Sequence, residues 1–403
     1  MNMISRHKPL EGVRVLDIST MLAGPFCATI LAEFGADVLK IELPGRGDTA
    51  RSMGRVLPGI DASYAWLSEA RNKRSVTLDL RKPEGAELFK KMVANADIVV
   101  ENFLPGTLER WNLGPDVLKS VKEDIILVRV SAYGQTGPYK GRPGFARVAH
   151  GYGGLSYLAG EAGSRPVMPG STSLADYITG MYGALGALLS YIARDRFGAG
   201  NIVDIALYEG ILRMLDDMIP VYAANGFIRE RLGPDTVNHV PHSHYETLDG
   251  NWVALACTND TMWQRMCAAM GRPELSTERG FASMPERLEN RDAVNKVVAG
   301  YIGSMDREPL LERLMSFEVP IGPINNVADI FADRHIQERG NLVQIEVEDV
   351  GPVTMMGVLP RLSETPGELR SAGPKLGQHT DEVLAELGLS SNEISKLRAA
   401  GVV

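Results

Sequence analysis

The stretch Val13-Arg-Val-Leu-Asp-Ile18, then Ala23-Gly-Pro25, an apolar-periodic run to Phe34, and Ala36-Asp-Val-Leu-Lys-Ile41 decides the fold. Two mostly apolar runs of strand length flank a segment with helical spacing, and glycine with proline breaks the chain between them. That pattern is a βαβ unit. A second one follows: Ser75-Val-Thr-Leu-Asp-Leu80, a helix opened by Pro83-Glu84 and running to about Asn95, and Asp97-Ile-Val-Val100. Ile125-Ile-Leu-Val-Arg-Val130 supplies a further strand. Runs this apolar have no solvated face, so the spacing predicts an α/β fold with a parallel sheet covered on both sides.

Outward from this core, Gly134 to Gly170 is rich in glycine and proline and reads as a long loop region. Asp176 follows, ahead of a helix in which Gly180, Gly183 and Gly186 recur every three residues, a spacing that lets another backbone come close. A further helix is expected from about Ile205 to Ala223, and then the connector Arg229-Glu-Arg-Leu-Gly233 marks a change of character. We therefore expect a large domain over 1–224, a small domain over 225–330, and a C-terminal segment, 331–403, returning to the large domain. That last segment holds a strand pattern at Leu342-Val-Gln-Ile-Glu-Val347 and helices near Glu382–Leu387 and Glu393–Ala399.

The 403 residues allow a sizeable core, and the formal charge of −8 disfavours a broad electrostatic grip on nucleic acid. Any anionic ligand must be held by local cations. The longest apolar stretch, Tyr177 to Ile192, is shorter than the ~20 residues a bilayer needs, so no membrane span is expected. Met1 to Pro9 has no apolar segment of the secretory kind, which makes the cytoplasm the default location. Cys27, Cys257 and Cys267 are widely spaced and read as reduced thiols.

Several positions could carry chemistry. Asp176 in Leu174-Ala-Asp176 reads most simply as a helix N-cap, and alternatively as a reactive carboxylate held at a helix start. His239-Val-Pro-His242-Ser-His244 lacks cysteine or acidic partners at tight spacing, so no metal is expected. No glycine run fits a nicotinamide or Walker-type phosphate loop. Asn72-Lys73-Arg74 reads equally as a phosphate clamp or a solvated basic turn.

Taken together, the motifs resemble the class III CoA-transferase family, which includes formyl-CoA transferase, carnitine CoA-transferase and the α-methylacyl-CoA racemases. They are Leu10-Glu-Gly-Val-Arg-Val-Leu-Asp17, Leu22-Ala-Gly-Pro25, Leu31-Ala-Glu-Phe-Gly-Ala-Asp-Val-Leu-Lys-Ile-Glu42, Asn72-Lys-Arg-Ser75, Glu101-Asn-Phe103, Gly134-Gln-Thr-Gly-Pro-Tyr139 and Leu174-Ala-Asp176. The resemblance implies a Rossmann-like large domain, a small α+β domain, and two subunits interlocked like chain links, as a homodimer or with a similar partner. It implies no permanently bound cofactor; coenzyme A thioesters are the substrates.

The resemblance puts the catalytic aspartate on Asp176. Its carboxylate would attack the donor thioester to form an anhydride, which the released CoA thiolate converts to an aspartyl-CoA thioester. The incoming acid would then repeat both steps in reverse. CoA contacts fall on Asn72, Lys73, Arg74, Asn102, Phe103, Arg110 and Arg142. Phe145, Arg147, His242 and His244 are candidates for the acyl substrate. The stretch at His242-Ser-His244 lacks the glycine run that makes an oxyanion site in formyl-CoA transferase, and Leu22 stands where that enzyme has glutamine, so oxalate and formate are not expected. The sequence is most similar to members that use succinyl-CoA to activate malate, citramalate, itaconate or benzylsuccinate, with Arg147 meeting the distal carboxylate. Racemisation on the same fold is the alternative; Gly144-Phe145-Ala146 lacks its histidine base, which His150 would have to replace.

Overall fold

The computed structural model describes residues 7–57, 60, 62–170 and 172–403; Met1 to Arg6 and Ser171 of the Asp176 motif lie outside them. The chain forms two compact units: residues 1–155, 170–216 and 335–403, and residues 156–169 with 217–334. The expected break after 224 falls within helix Met218–Asn225, which groups with the second unit, as does part of the expected loop region.

The first unit is built on a six-stranded sheet: β1 (Arg14–Asp17), β2 (Asp37–Glu42), β3 (Lys73–Thr77), β4 (Ile98–Glu101), β5 (Ile126–Ser131) and β6 (Ile202–Ala206). The spatial order is β3-β2-β1-β4-β5-β6, with every pair parallel. This doubly wound arrangement reverses direction between β1 and β4, and ligands of such sheets bind outside the carboxyl ends of the strands at that switch. Both faces are covered, one by the helices Ala23–Glu33 and Leu174–Phe197, the other by elements including Pro83–Val93 and the C-terminal residues.

Two expectations need correction. β6 occupies residues assigned to the start of a helix, which begins only at Leu207. As the edge strand, β6 exposes Ile202 and Asp204 in part, so its pattern lacks the fully buried signature of its neighbours. The expected loop at 134–170 contains two short helices, Ala146–Tyr152 and Leu155–Leu158.

The glycine spacing in Leu174–Phe197 serves close packing. A Cβ on Gly180 would lie 2.8 Å from the Ala23 carbonyl oxygen, and one on Gly186 would lie 2.6 Å from Val203 of β6. Gly180→Ala is expected to destabilise the protein by about 1–3 kcal/mol through this overpacking, measurable by denaturant unfolding.

The second unit carries the antiparallel sheet β7 (His242–Glu246), β8 (Trp252–Ala256) and β9 (Ile321–Pro323). Ser243, Tyr245, Val253 and Leu255 point inward, onto a core with Trp263, Val298 and Leu310. Back in the first unit, β10 (Leu342–Val347) and β11 (Gly351–Met356) form an antiparallel hairpin. No helix among the described residues is long and apolar enough to cross a membrane.

Candidate active site

The switch between β1 and β4 is where the recognised motifs converge. After β1 the chain runs through Ser19, Thr20 and Met21 into helix Ala23–Glu33, and Asn102 after β4 ties this loop down. The Asn102 amide donates to the Thr20 carbonyl at 2.6 Å, and its oxygen accepts from the Thr20 N–H at 2.7 Å. Glu101 fixes the other side, accepting from the Phe103 N–H at 2.7 Å and from Arg129 at 2.6 Å. Gly24 is required here, because a Cβ would meet the Ser19 side chain at 2.4 Å.

Beneath the loop lies a buried ionic network that sequence reasoning missed. Lys40 pairs with Asp48 at 2.8 Å and donates to the Ser19 carbonyl; Lys73 pairs with Asp17 at 2.9 Å and donates to the Pro25 carbonyl at 2.6 Å. Burial alone would raise the Asp17 pKa, but Lys40 and Lys73 outweigh it and hold the carboxyl below the ordinary range. The clue was an ionisable residue inside each of two apolar strands, Asp17 and Lys40, since such charges are buried only when paired.

This network overturns the phosphate-clamp reading of Asn72-Lys73-Arg74. Lys73 is fully committed within the sheet. Asn72, with φ 62°, donates to the Glu368 carbonyl and accepts from the N–H groups of Arg370 and Ser371, so it fastens the C-terminal segment. Arg74, the second residue of β3 and so at its amino end, is forked onto Asp37 and bonded to Glu382 and Glu386. It borders a groove of about 1110 Å³ at the amino ends of β2 and β3, the wrong end of the sheet for the chemistry.

At the carboxyl ends a cleft of about 310 Å³ is lined by Ser19, Thr20, Leu43, Arg46, Thr49, Arg81, Phe103 and Trp111, among others. Phe103 and Trp111 form its aromatic wall, edge to face with centroids 5.0 Å apart. Arg46 and Arg81 are cations that the sequence reading did not select. Their signal was position, just beyond the ends of β2 and β3. Arg110 is exposed and donates to Thr107 at 2.9 Å. Arg142 is exposed on the loop after β5, its guanidinium 3.5 Å above the Tyr139 ring.

Asp176 sits in the first turn of helix Leu174–Phe197, three residues past the N-cap position, which is Ser173. The simple N-cap reading is thereby corrected. The helix is pinned against the start of helix Ala23–Glu33 through Gly180 and the Phe26–Tyr177 ring pair, 4.9 Å between centroids, one turn and one residue after Asp176. Among the described residues no hydrogen bond or ion pair reaches its carboxyl group, and burial pushes its pKa up to about 6.

That displacement has two expected consequences. A reaction needing the ionised carboxylate loses rate below about pH 6, visible in a pH–rate profile. Stability responds oppositely: holding the group above its ordinary 3.8 costs nothing below about pH 4 and its full amount, up to about 3 kcal/mol, above pH 6. Asp176→Asn is therefore expected to raise the melting temperature at pH 8 and to leave it nearly unchanged at pH 4.

Helix Ala146–Tyr152 meets the Asp176 helix at its start, where His150 accepts from the Ala175 N–H at 2.9 Å. His150 is 0% exposed, and burial lowers its pKa, with Arg147 adding to the effect. With Nε2 engaged and the ring buried, it presents no free base to a substrate. Arg147 and Phe145 are exposed on this helix and at its start, and Arg147 has no ion pair among the described residues. In the second unit, His242 is half-buried with Nδ1 unpartnered and His244 is exposed, both on the outward face of β7. All three cysteines are buried free thiols.

A doubly wound unit with an aromatic and cationic cleft at its switch point, and a desolvated carboxylate in the first turn of a helix packed on the same sheet, has the parts of a group-transfer site. The chain belongs to CoA-transferase family III, whose sequence pattern it matches over residues 10–380. It is 49% identical over 398 residues, 98% of each chain, to the succinyl-CoA–L-malate CoA-transferase beta subunit of Chloroflexus aurantiacus. It is 39% identical, again over 98% of both chains, to the succinyl-CoA–D-citramalate CoA-transferase of that organism. Its structure is similar to a CaiB/BaiF family protein from Brucella suis, with a TM-score of 0.83 and 33% identity over 94% of this chain and 100% of the other.

Proposed function

We propose that this enzyme moves CoA from succinyl-CoA to a dicarboxylic acid such as malate, citramalate or itaconate, with Asp176 carrying the acyl group and then the CoA. The observation that supports it most is Asp176 itself: a carboxylate with no hydrogen-bond or ion-pair partner among the described residues, desolvated enough to hold a pKa of about 6, at the start of a rigidly packed helix. Poor solvation leaves its lone pairs available, and water is kept from the anhydride. Attack on the thioester carbonyl expels CoA thiolate. The thiolate adds to the aspartyl carbonyl, expels succinate and leaves aspartyl-CoA. The acceptor carboxylate displaces the thiolate to form a second anhydride, which the thiolate opens at the acceptor's carbonyl, restoring the Asp176 carboxylate.

The switch-point cleft suits the nucleotide end of CoA, with the base against Phe103 and Trp111 and phosphates near Arg46 and the remaining donor nitrogen of Arg81, whose other two are forked onto Asp79. Arg110 and Arg142 remain candidates for the coenzyme, and Phe145 for acyl contacts. Arg147 is exposed, unpaired and one turn from the histidine that touches the Asp176 helix, which suits it to a distal carboxylate. Loss of such a bond costs about 1.5–3 kcal/mol, so Arg147→Ala is expected to raise KM for succinyl-CoA roughly 10- to 100-fold. KM for a monocarboxylic acyl-CoA should change little; equal increases for both donors would exclude the assignment.

An interlocked dimer, with itself or a similar chain, fits the apolar stripe Met181, Leu185, Leu189 and Ile192, each about half exposed along one face of the Asp176 helix. A relative bearing the name of a beta subunit, and another the name of an alpha subunit, are in keeping with it. The function is tested by incubating the protein with succinyl-CoA and malate, citramalate, itaconate, mesaconate or benzylsuccinate and identifying new thioesters by mass spectrometry. No new thioester with any of these acids would refute the proposed substrate class.

A further inference from the structure

We infer that His150 is a positioning residue for Asp176: by accepting the Ala175 amide proton it takes over the capping of the helix start and leaves the neighbouring carboxylate free to react. The inference rests on the nucleophile reading of Asp176. A helix start leaves several N–H groups without partners, and an acidic side chain in the first turn is drawn to them. The Ser173 side chain makes no cap bond here. The Ala175 N–H goes instead to His150 Nε2 at 2.9 Å, across 25 residues of sequence and from a different helix.

The choice of histidine carries a cost that simple capping would avoid. With Nε2 accepting, the neutral ring must carry its proton on Nδ1. That atom is buried and has no partner among the described residues. A serine or aspartate at the N-cap would satisfy the helix with no orphaned donor. An imidazole reaching over from helix Ala146–Tyr152 does something a local cap cannot: it fixes the first turn to a second element. Asp176 is then held between two anchors, the His150 contact one residue before it and the Gly180 contact with the Ala23 carbonyl one turn after it.

Without the imidazole, the vacated Ala175 N–H would attract the Asp176 carboxylate, turning it inward and stabilising it as an anion. A nucleophile moved by a fraction of an ångström and better solvated reacts more slowly, whereas coenzyme binding in the switch-point cleft does not depend on it. The effect should therefore fall on kcat and not on KM for the acyl-CoA.

The test compares His150→Gln, whose amide oxygen can reach the Ala175 N–H, with His150→Asn, whose amide is too short, and with His150→Leu, which has no acceptor. Asp176→Ala serves as the control. The expected result is kcat within about threefold of the parent for Gln and reduced about 10- to 100-fold for Asn and Leu, with KM for succinyl-CoA within about twofold throughout. Asn keeps the comparison open should Leu fail to fold. Equal kcat in Gln and Asn, or losses confined to the melting temperature, would overturn the inference while leaving the nucleophile in place. Turnover retained in Asp176→Ala would overturn the nucleophile reading, and this inference with it.

Discussion

Asp176→Ala is expected to lower kcat for CoA exchange by roughly 10⁴-fold or more, because every step of the proposed cycle makes or breaks a bond to that carboxylate. Binding of CoA should persist with little change, since the cleft of Phe103, Trp111, Arg46 and Arg81 is built from other elements. Nor should the protein be weakened: removing a desolvated acid whose pKa is pushed up to about 6 relieves a penalty at neutral pH. Loss of turnover combined with unchanged binding and equal or greater stability would separate a chemical role from a structural one. Calorimetric titration with CoA and a melting curve on the same preparation measure both.

Lys73→Met is expected to have the largest effect on stability. Lys73 is 3% exposed and bonded to Asp17 and to the Pro25 carbonyl, and removing it strands a buried carboxylate beside a helix start. Breaking one partner of a buried pair costs about 3–5 kcal/mol, a large share of the total stability of most domains. Lys40 remains near Asp17, at 3.7 Å, and moderates the loss without replacing the 2.9 Å bond. Denaturant unfolding reads the change. A variant of normal stability with a selectively raised KM for CoA thioesters would restore the phosphate-clamp reading that the geometry displaces.

The contrast between Lys73 and Asp176 shows what the sequence could and could not carry. β1, β2, β4 and β5 were legible because parallel strands buried on both faces read as near-continuous apolar runs. β3 begins two residues earlier than expected, since Lys73 and Arg74 look like a solvated turn and only the folded sheet supplies their carboxylates. β6 was hidden by its place at the sheet edge, where alternate exposure joins directly onto a helix. Asp176 was reached through family resemblance, while its own residues favoured a helix cap. The cap bond that His150 makes to the Ala175 N–H is a contact across 25 positions that no local pattern encodes. Arg46 and Arg81 escaped because their meaning is topological: they matter for lying past the ends of strands that flank the switch point.

The central claim is that Asp176 carries CoA covalently between the two half-reactions. Incubating the protein with succinyl-CoA in the absence of an acceptor acid, trapping with borohydride or hydroxylamine, and mapping the digest by mass spectrometry tests it directly. The account predicts modification confined to Asp176, formed with release of one succinate and discharged when malate or another accepted acid is added before trapping. An unmodified Asp176 in a preparation that transfers CoA at full rate, or an adduct at a different residue, would contradict it.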